Sequence, residues 1–531
     1  MTTLYGSRGE TAPDALNHEQ KRATGDVLFV LGSLLLSVWF VAVLWVQNDI
    51  SLADNGDFVR ATRLFTVTPV GFSDTLPMEG SPEYLHRYYL AWHKSWIVGW
   101  SRSIPSTAAI VLWLPGIAAN LALISTTTLS LPIVLAFPKI LLLALLIFLL
   151  MRSFRHRHRV TILAAVAFPL VMMLTSSDYV AYMNSFYQEG PTLVFLLVVL
   201  GALVWLRSHP TVNRSALALL ATILLGATKP GNLYWVLGIV PVIGIIFFVR
   251  TKAFSRTRAL LASSLFAILL TLCLLVAVMA GSKSVRMVNP YHALFMGVLQ
   301  NSIDPAQRLQ DIGFDPADTS AIGLSAFSPA GNSTFLKYKE RVSYGKVFDV
   351  VLREPGSALR MIVHTLDQLQ DLSLEYLGHY EIDDPRSTEE EVDRTKASSR
   401  VRTWNTDLGS RALNAWSLMK YRVLPTGVTA ILSMILFGGW FFSTRLSDGL
   451  RGDLALTGLL TSTGFFVNTV VSVADGNHEL IKHLFLSNAL YDLSLIAFVA
   501  SVIATAVEKS RSTRMRVGSP GRAGVREAQG R

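Results

Sequence analysis

Long apolar runs with no polar face constrain this chain more than any other feature. Val27 to Val46 is one, and Ile140 to Met151 lies within another. About 20 helical residues cross the ~30 Å hydrocarbon layer of a bilayer. A run that lacks a hydrophilic stripe cannot face water in a soluble domain. The 531-residue chain therefore reads as an all-α polytopic membrane protein. Its composition fits, with 51% hydrophobic and 16% charged residues, against roughly 25% charged in ordinary soluble domains.

About ten spans are expected, over 27–47, 132–151, 160–177, 191–206, 215–227, 233–249, 259–281, 423–443, 454–473 and 486–507. The segment 106–126 is apolar but carries Pro115, Gly116 and Asn120, and charge argues against its crossing. With it lying flat, 22 Lys and Arg residues fall in segments on one side, and only Lys229 and Lys482 fall in short turns on the other. By the positive-inside rule both termini are then cytoplasmic. The net charge of +10 reports this sorting, so no nucleic-acid partner is expected. Cys273 is the only cysteine, which excludes an intrachain disulfide. The first apolar run lacks a small-residue cleavage site and reads as a retained helix.

The expected organisation is a cytoplasmic N-terminus (1–26), a transmembrane module (27–281) with a first outer loop (48–131), and an extracytoplasmic helical domain (282–422). C-terminal transmembrane helices (423–507) and a basic disordered cytoplasmic tail (508–531) follow. Within 282–422, Leu359, Ile362, Val363, Leu366 and Leu369 keep helical spacing after Pro355, as in a helix lying on the membrane.

Five stretches could carry chemistry. The first is Asp54-Asn55-Gly56-Asp57, followed by Arg60. Carboxylates at the outer end of a span can act as general bases or bind a divalent ion, and helix capping is the bland alternative. In the second, over 82–102, Tyr84, Tyr88, Trp92, Trp96 and Trp100 recur every fourth residue beside His86 and Arg87. We expect an interfacial helix there, with its Trp residues as anchors and its cations near a lipid phosphate. Third is the turn holding Asp178, Asn184, Tyr187, Gln188 and Glu189, whose polar groups suit sugar hydroxyls. Fourth comes Thr228-Lys229-Pro230-Gly231, a helix break whose lysine could neutralise phosphate or simply snorkel. The fifth is His478, Lys482 and His483. Zinc-protease spacing needs histidines four apart on one helix, so phosphate or sugar binding suits this patch better. Each also reads as an ordinary solvated turn.

This layout resembles the GT-C superfamily of polyprenyl-phosphate-sugar-dependent glycosyltransferases. The likeness rests on a long first outer loop, acids just past span one, and a large loop after span seven. It implies an inverting transfer at the outer face of a bacterial plasma (inner) membrane. The donor would be a polyprenyl-phosphate-linked sugar, the acceptor a glycan, lipid or protein of the cell envelope, with membrane lipids around both. Asp57 or Asp54 takes the place of the catalytic base, with Glu189 or Asp178 as second acid. No cofactor is required, although Asp54, Asp57 and Glu189 could hold Mg or Mn. The alternatives are a transporter or flippase of lipid-linked glycans, a glycan polymerase or ligase, and a structural scaffold. Carriers usually place acids within their spans; here Lys139 and Asp492 are the main intramembrane exceptions.

In a Cys273→Ala background, Arg155→Cys should react with an impermeant thiol reagent only from the cytoplasmic face, and Gln310→Cys only from outside. Labelling of position 155 from outside would mean that 106–126 crosses.

Overall fold

Apolar side chains in helical runs can satisfy their backbone only internally, and the chain is mostly helical. The computed structural model describes residues 12–46, 50–70, 91–100, 107–154, 159–251, 283–369, 415–422, 426–443, 449–473 and 476–517, with isolated positions between these blocks. The main helices are α1 (Ala12–Val46), α2 (Ile110–Leu123), α3 (Ala136–Phe154), α4 (Arg159–Leu174), α5 (Ser177–Met183), α6 (Glu189–Ser208), α7 (Val212–Gly226) and α8 (Leu233–Thr251). After them come α9 (Lys283–Tyr291), α10 (Tyr344–Arg353), α11 (Pro355–Gln368), α12 (Ala415–Arg422), α13 (Thr426–Ser443), α14 (Leu450–Val473) and α15 (Phe485–Val517).

Among the described residues six helices are long and apolar enough to cross a membrane: Ala23–Trp45, Leu131–Phe154, Glu189–Ser208, Pro230–Phe247, Leu450–Val473 and Phe485–Ser510. A seventh forms if α4 and α5, bent by 60°, count as one span. Three apolar helices are shorter, among them α2 with 14 residues, about 21 Å long. The expected span 259–281 lies almost entirely outside the described residues.

Burial sorts the helices. In α6 72% of the apolar window is buried, against 28% in Ala23–Trp45, so α6 is the core strut and α1 presents Leu31, Leu34, Leu35 and Val38 outward. Small residues set the close approaches. A Cβ on Gly116 would lie 2.2 Å from the Val134 carbonyl oxygen, which is why α2 can lie against the turn leading into α3. Lys139 is 1% exposed and donates to the Leu44 carbonyl at 3.0 Å. It thereby satisfies an end-of-helix acceptor of α1 that has no partner along its own helix.

The first loop corrects two expectations. Residues 95–100 are a strand, not a helix, and the fold is not wholly α. The strands are β1 (Phe65–Pro69), β2 (Ala91–Trp92), β3 (Ser95–Trp100), β4 (Thr128–Ser130) and β5 (Tyr380–Glu381). Antiparallel β1, β3 and β4 form one sheet, with Val67 opposite Val98 and Trp96 opposite Leu129. A spacing of four is common to both periods, because every fourth residue also shares a face of a strand. The β-branched pair Ile97-Val98 tips the choice. Trp92 and Trp96 are core residues rather than membrane anchors, each at most 3% exposed. Trp96 packs on Phe58 and donates to the His93 carbonyl.

Residues 283–369 form a helical unit with its own core, in which Tyr291 stacks on Phe295 and Phe314 on Tyr338. The predicted amphipathic helix is α11, and Leu359 and Val363 on it are exposed together with Phe348 and Leu352 of α10. The π-helical turn His292–Val298 that continues α9 packs against Gly476. Gly476 has φ +74, and a Cβ there would sit 2.3 Å from the His292 carbonyl oxygen. Asn477 completes the joint by donating to the Met296 carbonyl. Gly476→Ala should therefore cost about 2–4 kcal/mol. Gly238→Ala, with nothing within 4 Å of its Cβ, should be neutral or slightly stabilising. Thermal unfolding in detergent checks both; equal midpoints would refute the role of the joint.

Candidate functional site

Residues 50–55 are held in place from the α5–α6 turn. Asn184 donates to the Ile50 carbonyl at 2.7 Å, and its own carbonyl accepts from Ser51 at 2.5 Å. The Tyr187 hydroxyl donates to the Ala53 carbonyl at 2.9 Å and accepts from the Asn55 amide at 3.1 Å. Asn184 and Tyr187 thus position the acidic turn.

In that turn Asp54 Oδ1 accepts the amides of Gly56 (2.8 Å) and Phe58 (3.1 Å), with Gly56 at φ +90. This fixes one carboxylate oxygen at the start of the single helical turn Phe58–Ala61. No described group bonds Oδ2. Burial pushes the Asp54 carboxyl up to about 6, helped by nearby Asp57 and opposed by the two amides and Lys482.

Asp57 reaches across to Lys482, which also pairs with Glu479. Glu479 in turn accepts from Asn55 Nδ2 at 2.6 Å. Lys482 has a side chain only 3% exposed. Burial works against its charge, yet Glu479, Asp57 and Glu189 outweigh that effect and hold its pKa above the usual range. Beside it, Lys229 donates to Glu189 at 2.9 Å and to the Lys482 carbonyl at 3.5 Å. Glu479 has φ +48, a left-handed conformation that is uncommon for a side-chain-bearing residue and marks a turn worth attention.

Two histidines lie close by. Burial, together with the Lys229 and Lys482 cations, pushes His483 well below the usual imidazole range. His292 is pushed down to about 3 by burial and by His478, whose ring centroid is 4.2 Å away. The Ala326 amide donates to His292 Nε2, which fits a neutral ring.

One end of the bundle therefore gathers Asp54, Asp57, Glu189, Lys229, Lys482 and His483 from four separate stretches. Asp178 does not join them: it accepts from Ser417 of α12 at 2.7 Å in a buried layer. Next to that layer, Asp492 takes Tyr179 (2.7 Å) and Trp416 (3.0 Å) on Oδ2 and lies 3.0 Å from Lys420. Gln188 precedes α6 and its carbonyl accepts from Thr192. Arg60 belongs to the Phe58–Ala61 turn, but its side chain, like His86 and Arg87, lies outside the described residues. No three His, Cys, Asp or Glu side chains among the described residues are grouped to hold a metal ion. Of the three acids that could hold Mg or Mn, Asp57 and Glu189 face Lys482 and Lys229. Glu479 and Asn55 were not anticipated as site residues. The one available cue was Glu479 three residues before Lys482, a spacing that lets the two pair in one helical turn.

Fold and site together define a multi-span membrane protein with an acid–lysine cluster at one end of its helical bundle. The chain belongs to the family described as the YfdI N-terminal transmembrane domain, whose model matches residues 16–519. Comparison with curated proteins finds no significant match.

Lys482→Met removes the buried counter-charge that Asp57 and Glu479 share and should destabilise the protein by about 3 kcal/mol. Arg451→Met, which breaks an exposed pair with Glu508, should cost under about 1 kcal/mol. Thermal unfolding of the two variants checks this; equal losses would show that Lys482 is not the hub.

Proposed function

We propose that the protein is an integral membrane glycosyltransferase that moves a sugar from a polyprenyl-phosphate donor to a cell-envelope acceptor at the outer face. Asp54 carries this reading. Its Oδ1 is pinned by two amides while Oδ2 is left available, and its carboxyl is pushed up to about 6, near the ideal for a general base at neutral pH. Family membership and the lysines at the same end support it further.

In the proposed step Asp54 takes the proton of an acceptor hydroxyl, whose oxygen attacks the anomeric carbon. The bond from that carbon to the phosphate oxygen breaks, and the lipid phosphate leaves with the electron pair, so the configuration inverts. Lys229 is suited to meet that charge, since it spends two donors on Glu189 and the Lys482 carbonyl and an ammonium has three. Asp57 and Glu479 keep Lys482 charged and in place. The rival reading, a carrier of lipid-linked glycans, would draw on the intramembrane acid Asp492. That carboxylate already meets Tyr179, Trp416 and Lys420, an arrangement better suited to holding helices together.

Asp54→Asn should lower kcat by about 10²–10⁴ in proteoliposomes supplied with a polyprenyl-phosphate sugar, with the protein still folded. Wild-type kcat/KM should rise with pH through about 6, because the base works as the carboxylate. Undiminished turnover in Asp54→Asn would overturn the assignment.

A further inference from the structure

The other end of the bundle carries a second constellation. Helix α6 begins with Glu189 in the acid–lysine cluster and ends at Ser208, about 30 Å away along its axis. There a cavity of about 910 Å³ is lined by Arg152, Arg207, Arg214, Trp205, Phe148 and Asp453, among others. Arg207 is 1% exposed and pairs with Asp453, which Arg152 also reaches at 3.0 Å. Arg214 lies over the Trp205 ring at 4.3 Å and donates to the Trp205 and His209 carbonyls.

Among the described lining residues three arginines face one carboxylate, a formal charge of +2 from those four side chains. Helix ends do not change this balance. Helices α3 and α6 finish here while α7 and α14 start here, so their half-charges cancel. Topology-setting arginines ordinarily snorkel into water, whereas Arg207 is built into the wall. Exposed apolar side chains stand beside the polar His209 at the opening: Met151 is 69% and Phe154 47% exposed, and Phe148 packs edge-on against Trp205. A soluble anion would gain nothing from these apolar groups. An anionic lipid would place its phosphate among the guanidinium groups and its chains along Phe148, Met151 and Phe154.

We propose that this cavity binds the phosphate headgroup of an anionic glycerophospholipid, at the end of the bundle opposite the acid–lysine cluster. The full chain in detergent, offered phosphatidylglycerol or phosphatidylcholine and weighed intact by native mass spectrometry, should retain phosphatidylglycerol in preference. Arg214→Gln should reduce that preference about tenfold; the Arg214 guanidinium donates to backbone carbonyls, so no buried carboxylate is stranded. Arg451→Gln, outside the cavity, should leave the preference unchanged. Equal retention of the two lipids by the wild type would overturn the proposal. So would full displacement of phosphatidylglycerol by inorganic phosphate, or a preference that survives Arg152→Gln and Arg214→Gln combined. The assay measures no turnover, so its failure leaves the glycosyl-transfer reading standing.

Discussion

Lys482 is the ammonium on which the arrangement of this end of the molecule depends. It draws together Asp57, which follows the first helix, and Glu479, more than 400 residues later. A buried cation is tolerated only with partners of opposite charge, so Lys482 requires both acids to be close. Because Glu479 also takes Asn55, the acidic turn is clamped on two sides. The same short loop, 476–483, meets the helical unit 283–369 through Gly476 and Asn477. One turn between two candidate spans thus joins the first loop, the bundle and the helical unit 283–369.

Much of this architecture was legible in the sequence because it follows from solvent. Apolar runs marked most spans within a few residues, and sorting of charge placed the acids and the arginines at opposite ends. The individual contacts were less legible. Trp92, Trp96 and Trp100 recur at a spacing that a helix and a strand both satisfy, and beyond the β-branched pair Ile97-Val98 it is the pairing of β3 with β1 and β4 that decides between them. Asn184 and Tyr187 offer polar groups that look available along the chain, but the backbone of 50–55 claims them.

Asp178 and Glu189 show the limit most clearly. Both are acids near the same turn, yet one enters the layer with Ser417 and the other faces Lys229. The turn over 184–188, where Ser177–Met183 ends and α6 begins, separates them, and no local pattern says which acid goes where. Glu479 is hard to read for a related reason: it has a left-handed backbone and meets Asn55 from the far end of the chain, and its spacing from Lys482 is the one local cue.

Helix α6 bears Glu189 at its start and Arg207 near its end, each in an ion pair with a different helix or turn. These signs oppose the helix dipole at both termini, so each charge suits the end it occupies. The two pairs also act as stops. Sliding by one turn, about 5.4 Å, would pull a charge off its partner and into hydrocarbon. The distance between the two ends of the molecule is therefore set by one helix of fixed length. A single inserted or deleted residue would rotate Glu189 by about 100° relative to Arg207, and both pairs could no longer form at once.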